Sequence, residues 1–339
     1  MRRLGLLAPL HPTRPLTRGP LLALLLASAL ALGLLLAPAG GAATAAGRPA
    51  DGAGNPAGAV YMQGRDLHLR DGSVLRLDVG PGQGESTILL GRTPRGWAVA
   101  TYSDLYLLSA EGTTRLGPRS TDLENTTLLG RDRRHVVHGY SDQADGFSLE
   151  VTDLDGDRVL SRYVTDGTPT AADRSRVYLT GDRGLRTVDL ATGRVERLVR
   201  KGAGLVDLAR DVVFVRTTRY GSEIGPTSLS DPGERTWTAR TEPLVISPDG
   251  RLLLSADGTV RRMRDGHLVR DLPVPRRRIY TQNLGWAGNG AVLAVVDAGP
   301  DRQAMVRCAV AGGPCRRVGP AGTGSITFPT QVSGSNRQP

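Results

Sequence analysis

The sequence predicts an all-β fold, a seven-bladed β-propeller of four-stranded antiparallel blades, from three observations. A short apolar segment recurs seven times after residue 58, at intervals of 35–41 residues, and about 40 residues is the period of a four-stranded propeller blade. The chain is rich in turn formers, with 44 Gly and 22 Pro. No long stretch after residue 50 has a helical periodicity. Strands joined by tight turns are therefore expected throughout.

The recurring segment is interpreted as the inner apolar strand that follows a polar turn in each copy. It is apolar on consecutive positions, as expected for a strand that packs on both faces. The strands after it alternate Arg with apolar residues, which is typical of strands closer to solvent. The seven segments begin at Ala59, Trp97, His135, Arg176, Asp211, Arg251 and Ala291.

The sixth copy, residues 244–274, shows the complete repeating unit. Three Asp-Gly pairs divide it into four short runs. Glycine adopts a positive φ without steric cost and Asp bonds its own backbone, so each pair predicts a tight turn between two strands. We therefore interpret the three acids as turn residues and not as catalytic groups. The pairs are Asp249-Gly250, Asp257-Gly258 and Asp265-Gly266.

The fifth copy is the least regular, and the first and last copies complement each other. Residues 217–230 include Gly225 and Pro226, which indicates a longer loop in the fifth copy. The first copy lacks a leading strand, and a β-prone run at residues 325–328 follows the seventh copy. We expect this C-terminal strand to complete the first blade and close the ring, because closure removes an open sheet edge.

Two cysteines lie close together in the last copy. Cys308 and Cys315 stand on either side of Gly312-Gly313. A hairpin that turns at these glycines would place the thiols on neighbouring strands, close enough to bridge. A metal pair or a redox motif needs C-x-x-C spacing or further ligands. The pair therefore predicts a structural disulfide, which persists outside the cytosol.

Several motifs resemble those of a known family. Residues 246–254, ISPDGRLLL, resemble the signature of TolB-like, WD-repeat-related propellers, in which Ser-Pro-Asp-Gly precedes an apolar strand. Residues 189–193, DLATG, look like a turn of related surface propellers. Residues 286–290 and the cysteine hairpin are similar to the last blades of exported actinobacterial propellers. The resemblance covers about residues 59–329 and implies a blade structure and a partner-binding role, with no particular reaction.

The N-terminal residues 1–46 predict a signal peptide or an N-terminal membrane anchor. Residues 1–20 carry Arg and no acid, and residues 21–36 form an apolar run that small residues follow, as in a secretory signal. The run is slightly shorter than the ~20 residues of a spanning helix, so cleavage and retention both stay open. The propeller is expected outside the cytoplasm in either case.

The remaining boundaries follow from composition. Residues 47–58 are predicted to be a flexible linker, residues 59–330 the propeller and residues 331–339 a disordered tail. Membrane contact is expected only through residues 21–36, and the propeller is expected to be monomeric.

The net charge of +10 does not by itself identify a partner. Lys201 is the only lysine, and the arginines are spread along the chain with acids among them. An anionic polymer or a membrane surface would attract such a chain, but the dispersed pattern favours solvated strand faces. No basic stripe with interleaved aromatic residues occurs, so no nucleic-acid partner is expected.

Local motifs give little support for metal binding or catalysis. Residues 153–157 resemble the start of a calcium loop, but Val164 occupies the position of the required Glu. His135 and His138 are three apart, so a strand directs them to opposite faces. Residues 231–237 resemble an Asp-box, which is a turn staple and not a catalytic group. No G-x-S-x-G or S-x-x-K motif is present. No metal, cofactor or catalytic residue is therefore predicted.

The sequence thus predicts a non-enzymatic exported propeller that binds a protein or ligand, or acts as a scaffold, at the cell envelope. Its contact surface would be the loop face around the central channel. The alternative is an envelope hydrolase or lyase that uses channel-lining Asp and Arg residues. That alternative requires at least two acids with an Arg or His at one channel mouth.

Overall fold

A computed structural model describes residues 55, 57–80, 87–118, 126–141, 147–164, 167–273, 279–300 and 302–329. These residues belong to one structural unit, Ala46–Pro339. The predicted signal or anchor, most of the predicted linker and the predicted tail lie outside the described residues.

The described residues form 27 β-strands and no helix. The strands make seven antiparallel sheets arranged in a ring, which we call blades 1–7. The predicted fold class, a seven-bladed β-propeller, is confirmed.

The first three blades contain the following strands. Blade 1 has β1 (Tyr61–Gln63), β2 (Asp66–His68), β3 (Val74–Arg76) and β27 (Ile326–Thr327). Blade 2 has β4 (Ile88–Thr93), β5 (Gly96–Ala100), β6 (Asp104–Ser109) and β7 (Gly112–Pro118). Blade 3 has β8 (Thr126–Leu129), β9 (His135–Ser141), β10 (Phe147–Asp153) and β11 (Arg158–Val164).

The last four blades follow in chain order. Blade 4 has β12 (Thr168–Ala172), β13 (Arg176–Gly181), β14 (Gly184–Asp189) and β15 (Val195–Val199). Blade 5 has β16 (Ala203–Asp207), β17 (Val212–Arg216) and β18 (Ile224–Ser228). Blade 6 has β19 (Pro243–Ile246), β20 (Leu252–Ser255), β21 (Thr259–Arg262) and β22 (Leu268–Asp271). Blade 7 has β23 (Ile279–Trp286), β24 (Ala291–Asp297), β25 (Arg302–Ala309) and β26 (Arg316–Thr323).

The leading strand of each blade lies nearest the centre of the ring. The strands β4, β8, β12, β16 and β19 contact one another in succession around the ring. The apolar segments aligned in the sequence are therefore the second strands of the sheets, and not the innermost ones. They are nonetheless the most buried: all five residues of β5 are buried, because a central strand is covered by neighbouring blades on both faces.

The ring closes as predicted. Strand β27 pairs with β1, with Met62 opposite Thr327 and Gln63 opposite Ile326. The hydroxyl of Thr327 also accepts a hydrogen bond from the Leu89 amide of blade 2 at 3.2 Å. The C-terminal strand thus supplies the innermost strand of blade 1 and removes its open edge.

Blade 5 differs from the prediction in two ways. Gly225 and Pro226 lie within β18, so the loop is shorter than expected and covers residues 217–223. The blade has three full strands, and the outer edge of β18 forms an isolated bridge between Ile224 and Ala239. Proline has no N–H to donate to a fourth strand, so Pro226 limits the ladder at this edge.

The packed region begins before the predicted boundary at residue 59. The side-chain amide of Asn55 donates to the carbonyl oxygens of Ala59 at 2.7 Å and Leu69 at 3.0 Å. Ala57 is fully buried and packs with Tyr61 and with residues of blade 7. These contacts join the described end of the predicted linker to the propeller.

The hydrophobic core is divided into clusters that lie between neighbouring blades. Val137 and Leu149 of blade 3 pack with Val177 and Val188 of blade 4, and all four are fully buried. Because each sheet buries its faces against the next one, a single blade cannot fold alone.

Candidate functional site

The predicted Asp-Gly pairs of blade 6 form tight turns. Gly250, Gly258 and Gly266 have φ values of +77°, +81° and +68°, a region that glycine adopts without steric cost. Each glycine amide donates to a carbonyl oxygen three or four residues earlier, at 2.8–3.0 Å. The three turns join the four strands of the blade in order.

The carboxylates of these pairs bond to their own turns. In Asp249, Asp257 and Asp265 the Oδ1 atom accepts the backbone N–H two residues ahead at 3.0–3.1 Å. The hydroxyl of Ser247 also donates to Asp249 Oδ1 at 2.6 Å. That hydrogen bond lowers the pKa of Asp249, because it stabilises the ionised form.

Cys308 and Cys315 form a disulfide, with 4.3 Å between their Cα atoms. Cys308 lies in β25 and is fully buried, and Cys315 precedes β26. The predicted hairpin and its disulfide are confirmed. Their role is to connect the two outer strands of blade 7.

The turns between the first and second strands of blades 3, 4 and 5 repeat the geometry of blade 6. Each contains one Asp whose Oδ1 accepts the backbone N–H groups two and three residues ahead, at 2.8–3.3 Å. These acids are Asp132, Asp173 and Asp207. Together with Asp249 they form a series of turn-capping carboxylates on one face of the ring.

The second carboxylate oxygen of each of these acids also has a partner. Asp132 pairs with the Nδ1 atom of His135, and Asp207 pairs with Arg210 at 2.6 Å. Asp173 accepts a hydrogen bond from the Tyr178 hydroxyl at 3.1 Å. Burial, followed by the charge of Asp173, raises the pKa of Tyr178 to about 12. Tyr178 is therefore a neutral hydrogen-bond donor at neutral pH.

These turns surround a cavity of about 250 Å³. Its walls are the ends of the first strands of blades 3–6, and it opens between the turns that follow them. The walls are mainly apolar, and the residues that form them include Leu129, Ala172, Leu205, Val206, Val245 and Ile246. Every one of these six side chains is buried.

Two arginines at the rim connect turns of different blades across the cavity. Arg131 of blade 3 donates to the carbonyl oxygen of Leu208 in blade 5 at 2.8 Å. Arg210 of blade 5 donates to the carbonyl oxygen of Pro248 in blade 6 at 2.6 Å. The rim is thus held by bonds from charged donors to backbone carbonyls, which are stronger than neutral ones.

Three charged side chains, those of Arg131, Asp207 and Arg210, line the otherwise apolar cavity. Among the described residues that line it, Asp207 is the one acid, and its oxygens bond to Arg210 and to its own turn. Asp132, Asp173 and Asp249 lie in the turns around the same mouth, so the acids and arginines that the hydrolase or lyase alternative requires are present there.

No group of three or more His, Cys, Asp or Glu side chains in the described parts of the chain has the arrangement of a metal site. Asp153 Oδ1 accepts the amides of Asp155 and Asp157 at 2.9 Å, so this acid caps a turn. His135 pairs with Asp132, whereas the Nδ1 atom of His138 lies 3.2 Å from the Thr127 hydroxyl. The two histidines are thus engaged by different partners.

Sequence reasoning missed the cavity and its rim. Arg131, Asp207 and Arg210 lie in segments without an Asp-Gly pair. The available signal was the recurrence of an Asp followed by an Arg just before the second strand of successive copies, as in Asp173–Arg176 and Asp249–Arg251. That pattern marks the turns but does not show that they meet around one cavity.

None of the described residues lies in a helix that is long and apolar enough to cross a membrane. The apolar run at residues 21–36 lies outside the described part of the chain.

The fold and the cavity together define the class: a seven-bladed β-propeller with an apolar cavity at one mouth of its channel. No protein-family model matches the chain, and no curated protein matches it. The comparison with solved structures does find similar chains.

The structure of TolB from Acinetobacter baumannii is similar at 14% identity and a TM-score of 0.42, over 79% of this chain and 64% of TolB. The chain thus spans less than two thirds of that protein. The CNH domain of AfRom2 is similar at 12% identity and a TM-score of 0.46, over 76% of this chain and 88% of the domain. An uncharacterised Listeria monocytogenes EGD-e protein is similar at 9% identity and a TM-score of 0.42, over 71% and 85% of the chains.

Proposed function

We propose that this protein is a non-enzymatic binding or scaffolding module, and that its partner inserts one apolar group into the cavity between blades 3 and 6. The observation that carries this proposal is the size and lining of the cavity. Its volume of about 250 Å³ is below the roughly 300–1,000 Å³ of typical small-molecule sites. It has room for one large side chain and little more.

The bonding of the acids supports binding over catalysis. A general acid or base needs a carboxylate that can exchange a proton with a substrate. Asp132, Asp173 and Asp207 each use Oδ1 to cap a turn and Oδ2 to bond a neighbouring side chain. These acids are engaged in maintaining the shape of the mouth.

The test is to obstruct the cavity without disturbing its walls. Ala209 is an exposed residue of the rim, so Ala209→Trp places a large ring at the entrance. Ala191, exposed in a turn of blade 4 away from the cavity, provides the matched control Ala191→Trp. The purified full-length chain, immobilised in detergent, would be used to capture partners from an envelope extract of the source cells.

We expect the wild type and Ala191→Trp to retain the same protein, and Ala209→Trp to lose it by about tenfold or more. Retention by both variants, or no specific capture, would contradict the proposal. A hydrolytic or lyase activity that Asp207→Asn abolishes, with folding intact, would favour the enzyme alternative.

We further propose that the propeller is exported, of the type found at the cell envelope, by the predicted N-terminal segment. The disulfide between Cys308 and Cys315 supports this proposal, because structural disulfides are rare in the cytosol. N-terminal sequencing of the mature protein is expected to begin near residues 40–47 if the segment is cleaved. An intact Met1 in the membrane fraction would indicate an anchor, and an intact Met1 in the cytosol would exclude export.

A further inference from the structure

Three surface segments of blades 4 and 5 come together on one face of the ring. A Cβ atom built on Gly184 would lie 3.1 Å from the carbonyl oxygen of Lys201. One built on Gly202 would lie 3.0 Å from the carbonyl oxygen of Arg219. The turn at residues 182–184, the connection at residues 200–202 and the loop at residues 217–223 are therefore in direct contact.

This contact brings together segments that carry positive charges in separate parts of the sequence. Arg200, Lys201 and Arg219 are exposed, and none of them forms a salt bridge within the described residues. We call these three residues, together with Tyr220, the basic patch.

Two acids near the basic patch pair with arginines outside it, and the one that remains is fewer than the three cations of the patch. Glu242 pairs with Arg216 at 3.0 Å, and Glu223 pairs with Arg240 at 3.7 Å. Asp182 is the one further acid on the three contacting segments. The patch therefore has a positive surplus that the sequence, with its dispersed arginines, does not reveal.

The loop at residues 217–223 is internally bonded and displays an aromatic ring in solvent. The amide of Thr217 donates to the carbonyl oxygen of Glu223 at 2.9 Å, and Arg216 Nη1 donates to that of Gly221 at 3.1 Å. Tyr220 is nevertheless 73% exposed, and the guanidinium carbon of Arg219 lies 5.1 Å from its ring centroid. A bonded loop that holds an aromatic ring in water has the form of a preorganised contact site.

The basic patch lies on the face opposite the cavity. Successive turns of an antiparallel sheet alternate between its two ends. The cavity lies at the turns between first and second strands, whereas Tyr220 lies between the second and third strands and Lys201 lies between blades. Tyr102 and Tyr163 lie at the same end as Tyr220, and they are 58% and 48% exposed.

We propose that this face binds an anionic polysaccharide through the basic patch. Arg and Lys pair with carboxylate or phosphate groups, and an exposed tyrosine offers a flat apolar surface on which the C–H face of a sugar ring packs. Exposed tyrosines on the same face suit an extended chain better than a compact ligand. The exposed residues beside the patch include Asp182, Thr218 and Ser222, which are polar, so an apolar peptide segment does not fit it.

The test measures binding of oligogalacturonate, a carboxylated polysaccharide, to the purified full-length chain in 50 mM salt. The charge-removing variant is Arg200→Gln/Lys201→Gln/Arg219→Gln. Its matched control is Arg194→Gln/Arg316→Gln/Arg317→Gln, which removes three exposed arginines outside the patch. Because Arg and Lys pair directly with carboxylate groups, we expect the patch variant to bind at least tenfold more weakly and the control less than threefold.

The aromatic contribution is tested separately. Tyr220→Ala is expected to weaken oligogalacturonate binding by about threefold or more, and Tyr220→Phe to leave it within twofold. The cavity variant Ala209→Trp is expected to bind oligogalacturonate like the wild type. Failure of the polysaccharide proposal can therefore be distinguished from failure of the proposed function.

Three further probes distinguish the nature of the ligand. Neutral dextran is expected not to bind, and polyglutamate and phosphatidylglycerol vesicles are expected to bind at least fivefold more weakly than oligogalacturonate. Equal binding of either anionic probe, equal loss in the two triple variants, or no binding of oligogalacturonate by the wild type would each overturn the proposal.

Discussion

Blades 5 and 6 are neighbours in the ring, yet they are stabilised in different ways. Blade 6 is joined by three Asp-Gly turns whose hydrogen bonds link residues two to four positions apart. Blade 5 has three full strands, and its outer edge is completed by a segment that includes Trp237. The structure of blade 6 is encoded locally, whereas that of blade 5 depends on contacts with its surroundings.

Trp237 takes the place of a regular outer strand in blade 5. Its indole N–H donates to the carbonyl oxygen of Met263 in blade 6 at 2.6 Å. Its ring meets that of Phe214 edge to face, with 5.9 Å between centroids. On its other side a Cβ atom built on Gly266 would lie 2.6 Å from the Trp237 ring. One side chain thus connects the irregular blade to the regular one.

The difference shows that an irregular blade can keep its place in the ring through packing with its neighbour. It also shows that a turn glycine of blade 6, Gly266, has two roles. Gly266 closes a local turn with a positive φ, and its missing side chain makes room for Trp237.

The largest expected effect comes from removing the Trp237 side chain, which connects blade 5 to blade 6. Trp237→Ala deletes the ring contact with Phe214 and the hydrogen bond to Met263. We expect it to lower the free energy of unfolding by about 3 kcal/mol, as for other large aromatic truncations. Chemical unfolding followed by circular dichroism measures this value. Trp237→Phe keeps a ring and should lose less than half as much, and a loss below about 1 kcal/mol in Trp237→Ala would refute the role of this side chain.

A second, smaller effect separates the two roles of Gly266. Gly266 and Gly288 have nearly the same φ, +68° and +67°, but a Cβ on Gly288 would meet no atom within 4 Å. We expect Gly288→Ala to cost about 1–2 kcal/mol because of its backbone conformation. Gly266→Ala should cost about 1 kcal/mol more because of overpacking against the indole.

The same two glycine variants in a Trp237→Ala background provide the control. The excess cost of Gly266→Ala should disappear there, because the crowded ring is gone. An excess that persists without the indole would show that the cost does not arise from contact with Trp237.

A third prediction compares a carboxylate whose hydrogen-bond partners are distant in the sequence with one whose partners lie in its own turn. Asp211 of blade 5 accepts hydrogen bonds from the hydroxyls of Ser228 and Ser230 at 2.6–2.7 Å, whereas Asp249 of blade 6 bonds within its own turn. We expect Asp211→Asn to destabilise the protein by about 1 kcal/mol and Asp249→Asn by about half as much. The same unfolding assay distinguishes them. Equal losses would contradict the distinction between local and long-range support.

The smallest expected effect is a loss of stability at acidic pH. Hydrogen bonds from Ser228 and Ser230 lower the pKa of Asp211, and one from Ser247 lowers the pKa of Asp249. A carboxyl whose pKa is lower in the folded state stabilises the fold above its unfolded pKa of about 4 and loses this contribution as pH falls. Unfolding midpoints should therefore decrease below about pH 4, and Asp211→Asn/Asp249→Asn should reduce that slope.

Much of the fold was predictable because its determinants are close together in the chain. The Asp-Gly turns of blade 6 require two adjacent residues with defined backbone preferences. The repeat of about 40 residues reflects one unit of structure used seven times. The disulfide between Cys308 and Cys315 needs only a hairpin of short length. The C-terminal strand was identified because the first copy lacked one.

The irregular parts of the fold were less predictable. Gly225 and Pro226 indicated a loop, but both lie in β18, since pairing with β17 outweighs their low strand preference. Ala57 was assigned to a linker, although its small side chain fits into the core between blades 1 and 7. In both cases a neighbouring element decided the outcome.

The sequence by itself determined the number of blades, the turns, the disulfide and the closure of the ring, because each depends on a local pattern or on a repeat. Only the tertiary structure decided which residues meet around the cavity and in the basic patch. Arg131 reaches Leu208, and the loop with Tyr220 reaches Gly202, the residue after Lys201, through the curvature of the ring. Such contacts join different blades, so their chemistry appears only when neighbouring blades pack together.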